Sequence, residues 1–448
     1  MKIFFLVATL LTSSTFASTF LDSVKRQKWG DLPVVWIEDD KFPRFTAAVY
    51  FQDGALSDPF PGVTQATFDQ ITSGTSKESQ REIAEFFDFY GINLRTTVTH
   101  EYSIFSVQGL VKDIGPVMGK VCEIFRDAQY PEKELTSYVS RSKSHLRNLV
   151  TSHSNLADRI FRQVSLKDTP YVHPVEGNLE SFDKLKSVLL KERLQSLNRT
   201  KKVLYLAGPK GVSSMEDVIS ENCGWKNEIA AKSHSINKPS EQTAIYLVPV
   251  PGANQAQIRI GRYMNAEEVK GKHDQFQFLA GFLGGGFTSK LVQELRVKRG
   301  LTYSAGAYVS MQRDYGRAGI STFSKTETAA ETIAIIRDVF SQIVSGKFTD
   351  EEFKHQQGHQ VGGHSFAFEA ISALIGQVMV YDHQERSLKE LVDFPEVIKR
   401  LKPEELSKSN LETFPWSKLS IVVVGDKSLE KSLSRIRPVR ILKFEDFL

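Results

Sequence analysis

The sequence predicts an α+β protein of two homologous repeats, each about 210 residues long, and three pairs of landmarks predict it. An apolar, strand-like run at 34–37 (Val34, Val35, Trp36, Ile37) is answered at 245–248 by Ile245, Tyr246, Leu247 and Val248. A turn at Gly74 that closes a helical stretch is answered by Gly285, and both pairs lie 211 residues apart. A buried-type strand ending in glycine occurs at 203–208 and again at 419–425, with Gly208 and Gly425 separated by 217. The 448 residues are 41% hydrophobic with only 2 cysteines, enough for large cores without a disulfide scaffold. Lys plus Arg number 57 against 53 Asp plus Glu, and a net charge of +4 on so long a chain excludes nucleic acid as the expected partner.

Taken in order, residues 1–17 read as a signal peptide. Lys2 supplies the positive region, 3–11 the apolar stretch, and Thr15, Phe16 and Ala17 the cleavage signal, so a periplasmic or secreted location is expected. That stretch is too short for a bilayer span, no later run is long enough, and no cysteine follows the cleavage site to carry a lipid. The first repeat, 18–231, then offers strands at 34–37, 49–51 and 104–107, rich in branched and aromatic residues, and a helical pattern over 80–90. A polar, proline-containing linker follows at 232–242. The second repeat, 243–448, repeats the order and includes a helical pattern at 329–344. Two such lobes would leave a cleft able to hold a ligand. Cys122 and Cys223 fit either a disulfide or two buried thiols, and spacing does not decide between them.

Read in sequence, the Asp53-Gly54-Ala55 turn, the 62–75 segment, His173-Pro174 with Gly177, the 245–260 strand pair around Gln255 and the block L-G-G-G-F-T-S-K-L-V-Q-E-L-R-V-K-R-G-L-T-Y at 283–303 resemble the insulinase and pitrilysin-type zinc peptidases. The likeness is to the shorter, processing-peptidase-like bacterial branch and covers nearly the whole mature chain. It implies two α+β repeats per chain and a clam-like assembly of two chains.

The family carries H-x-x-E-H on a helix of the first repeat, two histidines one turn apart for zinc and a glutamate as general base. The resemblance sets Gln65, Phe68 and Asp69 at those three positions. A neutral amide replaces an imidazole, a phenyl replaces the base, and a single carboxylate replaces the second imidazole. The third ligand, a glutamate, falls in the family where this chain has 141–146, a stretch without a carboxylate. Gln65, Asp69 and a reoriented His145 would make at most a weak divalent site, so no metal is expected on this chain.

The second repeat of the family supplies an arginine and a tyrosine, seven residues apart, that hold substrate. Arg296 and Tyr303 stand at that spacing. A guanidinium offers a fork of donors to a peptide carbonyl and a phenol can donate to a developing oxyanion. Gly284, Gly285 and Gly286 resemble the glycine-rich loop of the non-catalytic processing-peptidase subunit, with a tight helix-to-helix turn as the alternative use of the same residues. A further group, His355, His359 and His364, places its first two rings a helical turn apart but lacks a carboxylate base, and a solvated polar face or adventitious metal site is expected there.

Together these readings imply a non-catalytic, substrate-binding subunit whose Arg296 and Tyr303 complete the site of a homologous, zinc-bearing partner in a heterodimer, a self-dimer being the other arrangement. The zinc is then expected on the partner and a peptide as substrate. A scaffold of the same fold with no role in proteolysis is the competing class, and a self-sufficient hydrolase with its metal at His355 and His359 is a third.

Overall fold

The computed structural model describes residues 20–230, 243–368 and 371–448. The expected signal peptide at 1–17 and linker at 232–242 lie outside them. In the first half of the chain the principal elements are β1 (Val24–Trp29), β2 (Leu32–Glu38), β3 (Arg44–Phe51), α1 (Val63–Asp69), α2 (Gln80–Phe89), β4 (Asn93–Val98), β5 (Ser103–Leu110), α3 (Ile114–Asp127), α4 (Glu132–Asn148), α5 (His153–Ser165), α6 (Ser187–Arg199), β6 (Lys202–Gly208) and α7 (Met215–Asn222). In the second half they are β7 (Ile245–Pro249), β8 (Gln255–Asn265), α8 (His273–Gly284), β9 (Ala305–Met311), β10 (Tyr315–Lys325), α9 (Ala329–Val344), α10 (Asp350–His364), α11 (Ile371–His383), α12 (Leu388–Arg400), α13 (Pro403–Thr413), β11 (Ser420–Gly425) and β12 (Val439–Ile441).

Two six-stranded mixed sheets result, ordered β1-β2-β6-β3-β5-β4 and β12-β7-β11-β8-β10-β9. From the second strand onward they correspond one for one: β2 and β6 pair parallel as β7 and β11 do, and β3 lies antiparallel between β6 and β5 as β8 lies between β11 and β10. The repeat is therefore a repeat of topology. Only the outermost strand differs, since β1 comes from the start of the chain and runs antiparallel to β2, whereas β12 comes from its end and runs parallel to β7.

The central strands of both sheets are covered on both faces, which is why 34–37 and 421–424 read as continuous apolar runs instead of alternating ones. The chain forms two compact units, interleaved in sequence. The first comprises the described parts of 1–143, 175–233 and 366–392, the second those of 144–174, 234–365 and 393–448. In the first unit Phe51 packs on Phe68 of α1 and Phe125 of α3. Its neighbours Ala48 and Tyr50, pointing the other way by the two-residue period of a strand, meet Leu374, Ile375 and Val378 of α11. In the second unit Ile258, Ile260, Ile421 and Val423 pack with α8 and α9, while Tyr246, Val248, Val422 and Val424 are covered by Leu156, Ile160 and Phe161 of α5. Each sheet is thus roofed by a helix encoded in the other half of the sequence.

Polar contacts fix those helices. Buried Arg259 of β8 donates through Nε to Asp158 at 2.5 Å and through Nη2 to Ser154 Oγ at 2.8 Å, both on α5. At the end of α11 the buried His383 ring lies between the Tyr50 hydroxyl, 2.7 Å from Nδ1, and the Glu101 carboxylate, 2.6 Å from Nε2. Next to it, Asp382 accepts from Tyr205 at 2.9 Å and from both Nη atoms of Arg26. Cys122 of α3 and Cys223, just after α7, form a disulfide inside the first unit.

Candidate functional site

Helix α1, where the resemblance sets the metal motif, is held at its start by backbone contact and charge. Gly62 lies at φ +96°, and a Cβ there would come within 2.9 Å of the Gly177 Cα, so two glycines permit the approach. Asp58 accepts from the Thr64 amide at 2.9 Å and from the Thr64 hydroxyl. Buried Arg193 of α6 donates to Thr64 Oγ1, to Asp53 at 2.7 Å and to the Gly54 carbonyl at 3.0 Å. Burial outweighs the Arg193 charge and the Thr64 donors and pushes the Asp58 carboxyl up to about 6.

The three positions expected to replace the metal motif sit on this helix and face differently. Phe68 is 1% exposed and turned into the core against Phe51. Gln65 and Asp69 lie one turn apart, and Gln65 Nε2 donates to Asp69 Oδ1 at 2.7 Å. The second carboxylate oxygen accepts from the Tyr138 hydroxyl of α4 at 3.1 Å. Tyr138 in turn contacts Ser142. Although Asp69 reaches solvent, packing around its carboxyl raises it above the ordinary range against the pull of Gln65 and Tyr138. Burial, with the Asp69 charge beside it, raises the Tyr138 phenol too, which keeps it protonated.

A zinc ion does not fit this donor set. Gln65 has turned its amide nitrogen to Asp69, both Asp69 oxygens are engaged, and the group reaching in from α4 is a neutral phenol. The stretch 141–146 sends no replacement: His145 is exposed, Leu146 is buried, and Lys143 pairs with Asp183. Tyr138 escaped the sequence reading. Its one signal was a position a helical turn before Ser142, on the same face of α4. Among the described residues no group of three or more His, Cys, Asp or Glu side chains converges on a metal site. His355 and His359 are exposed, and with His364 they lie on the continuous helix α10, which runs on through Gly358, Gly362 and Gly363.

The second unit brings Arg296 and Tyr303 together. After α8 the chain turns at Gly284, whose missing Cβ would meet the Ala307 amide nitrogen of β9 at 2.2 Å, so glycine lets the helix end press on the strand backbone. Gly285 packs on Gly281, and Gly286 faces open space. A single π turn, Gln293–Val297, follows, closed by the Lys298 amide donating to the Gln293 carbonyl at 3.0 Å. Inside it Glu294 is buried and receives Lys298 Nζ at 2.5 Å and Arg299 Nη1 at 2.6 Å. Burial would raise that carboxyl, and the two cations hold it low instead. The next-but-one residue, Arg296, turns outward. Its guanidinium carbon stands 4.2 Å from the centre of the Tyr303 ring and 5.3 Å from that of Phe287. Tyr303 is 71% exposed and Phe287 62%. Beneath them Thr302 is buried, donating to the Ser304 carbonyl at 2.9 Å and receiving the Thr322 hydroxyl. The sequence reading did not single out Phe287, although it follows the three glycines directly.

Comparison with known proteins bears on both halves of the picture. Residues 200–358, which include the Arg296 cluster, match the family described as peptidase M16 inactive domain. A Helicobacter pylori protein named non-peptidase homolog YmxG is 19% identical over 381 residues, covering 81% of this chain and 88% of its own. A Bacillus subtilis protein named uncharacterized zinc protease YmxG is 24% identical over 288 residues, 62% of this chain and 68% of that one. In fold, the chain is similar to a peptidase M16 inactive domain from Pseudomonas fluorescens (TM-score 0.81, 20% identity, 90% of this chain and 98% of that). It is also similar to the first half of the periplasmic protease PqqL from Escherichia coli (TM-score 0.72, 11% identity, 92% and 93%). The chain is thus similar to insulinase and pitrilysin-type (M16) proteins, over 200–358 to their inactive domain and over nearly its whole length in fold.

Proposed function

We propose that the chain is a non-catalytic, substrate-binding subunit of an exported zinc metallopeptidase complex, supplying Arg296 and Tyr303 to the active site of a homologous partner that carries the zinc. One asymmetry supports this reading. The first-repeat centre has lost the chemistry for metal and base, with Phe68 in the core and Asp69 tied up by Gln65 and Tyr138. The second-repeat pair stays outside, assembled and bare, with no hydrogen bond or ion pair to either side chain among the described residues. In a clam-like pair of chains the fork of Arg296 would grip a peptide and the phenol of Tyr303 would donate to the oxyanion that forms on attack. Export agrees with the three-part N-terminal sequence and with the Cys122–Cys223 disulfide, a bond that persists in oxidising compartments.

The test is co-expression with a zinc-bearing homologue, with peptide hydrolysis and zinc content measured for each chain alone and for the complex. The expected result is no hydrolysis and no stoichiometric zinc for this chain alone, and activity for the pair. Tyr303→Phe is expected to lower turnover of the pair by about a hundredfold, and Arg296→Ala by a similar factor, with assembly unchanged. Equal cleavage with both residues replaced would leave only the scaffold role.

A further inference from the structure

The geometry points to a carboxylate, carried by a peptide, as the group that the Arg296 cluster binds; this rests on the reading of that cluster as a substrate site and goes beyond it in naming the chemistry recognised. The guanidinium lies over the Tyr303 ring at 4.2 Å, with Phe287 at 5.3 Å. A ring approached in this way takes none of the N–H donors of the guanidinium in a conventional hydrogen bond, so they stay available to a ligand. Among the described residues nothing accepts from them.

The nearby acids cannot serve as its counter-ion. Glu294 is buried beneath and held by Lys298 and Arg299, and Glu352 is held by Lys290 at 2.5 Å. Lys290, Arg296, Lys298 and Arg299 stand against Glu294 and Glu352, and Arg296 is the cation of the four with no carboxylate partner among the described residues, so the local charge favours an anion. A neutral peptide carbonyl offers one oxygen to this fork. A carboxylate offers two, in the plane and at the spacing of two parallel N–H groups, and brings a full opposite charge to them. The Phe287 and Tyr303 rings, otherwise left in water, provide apolar walls that dry the pair as ligand closes over them, and the Tyr303 hydroxyl is left for the oxyanion. The π turn serves the same end, because its extra residue per turn sets where Arg296 leaves the helix.

Two sources share this chemistry, the C-terminal carboxylate of a peptide and an acidic side chain within it. Calorimetric titration of the whole, isolated chain distinguishes them with four probes: a short peptide of Ala, Leu and Ser with a free C-terminus, its amidated counterpart, the amidated peptide with one internal Glu, and inorganic phosphate. Amidation is expected to weaken binding by about tenfold or more. Recovery with the internal Glu identifies the side chain as the source, and no recovery identifies the terminus. Arg296→Lys keeps the charge but not the planar fork and is expected to reduce the preference, Arg296→Met to abolish it, and Phe287→Ala to weaken binding several-fold at unchanged Tm. The inference is overturned if free and amidated peptides bind equally, if the preference survives Arg296→Met, if phosphate binds as tightly as the free peptide, or if no peptide binds. Because these titrations need no partner, loss of the carboxylate preference with turnover of the mixed complex still dependent on Arg296 would sink this inference alone.

Discussion

Phe68 stands where the resemblance sets a general base, and its ring fills the space beside Phe51 at 1% exposure. Phe68→Glu is therefore expected to bury a carboxyl among aromatic rings and to cost more than about 3 kcal/mol of stability, read from urea unfolding, without creating hydrolysis. Asp58 makes a second residue-scale prediction through its titration. Its folded-state carboxyl is raised to about 6 from an ordinary 3.8, so between those values the folded chain holds a proton that the unfolded chain has released. Stability contributed by this group is then fully present below pH 3.8 and is lost as pH rises through about 6, a change on the order of 3 kcal/mol. Comparing the pH dependence of unfolding in the wild-type chain and in Asp58→Asn checks this: the difference between them is expected to be confined to that window.

At the level of elements, the glycine loop divides into positions with different jobs. Gly284 and Gly285 are where the end of α8 meets backbone, whereas Gly286 has nothing within contact distance of an added methyl. Gly284→Ala is expected to lower stability by about 2 kcal/mol or more, since the β9 backbone cannot move aside, and Gly286→Ala to change it by less than about 0.5 kcal/mol. Thermal unfolding of the two variants separates these outcomes, and any effect of Gly286→Ala on turnover of a mixed complex would then report the loop's role in binding and not its packing.

For the whole molecule, interleaving is the dominant feature. Residues 18–231 contain every strand of the first sheet but lack α11, whose Leu374, Ile375 and Val378 cover Ala48, Tyr50 and Tyr205. That fragment is expected to expose an apolar sheet face and to aggregate on its own. The full chain cut proteolytically within 232–242 is expected to stay together, because 144–174 and 366–392 are each packed into the unit opposite to their own half of the sequence. Size-exclusion chromatography of the fragment and of the cut chain checks both. No described helix is long and apolar enough to cross a membrane.

Sequence alone carried the topological repeat, because strands buried on both faces must be apolar throughout and glycine must mark the turns between them, so both leave periodic traces. It also carried the identities of Gln65, Phe68 and Asp69, which the resemblance sets on the metal motif, and the spacing of Arg296 and Tyr303, since these depend on residue identity at fixed positions. Tertiary structure decided what long-range contact decides. It paired Cys122 with Cys223, sent Tyr138 to Asp69, stacked Phe287 and Tyr303 on Arg296, and exchanged α5 and α11 between the sheets. An amphipathic helix shows in its sequence that one face must be buried but not against which of two similar sheets, because both surfaces offer the same apolar chemistry. That choice is made by polar pairs anchored on a buried side chain, such as Arg259 with Asp158 and His383 with Glu101, which meet only when the chain has closed.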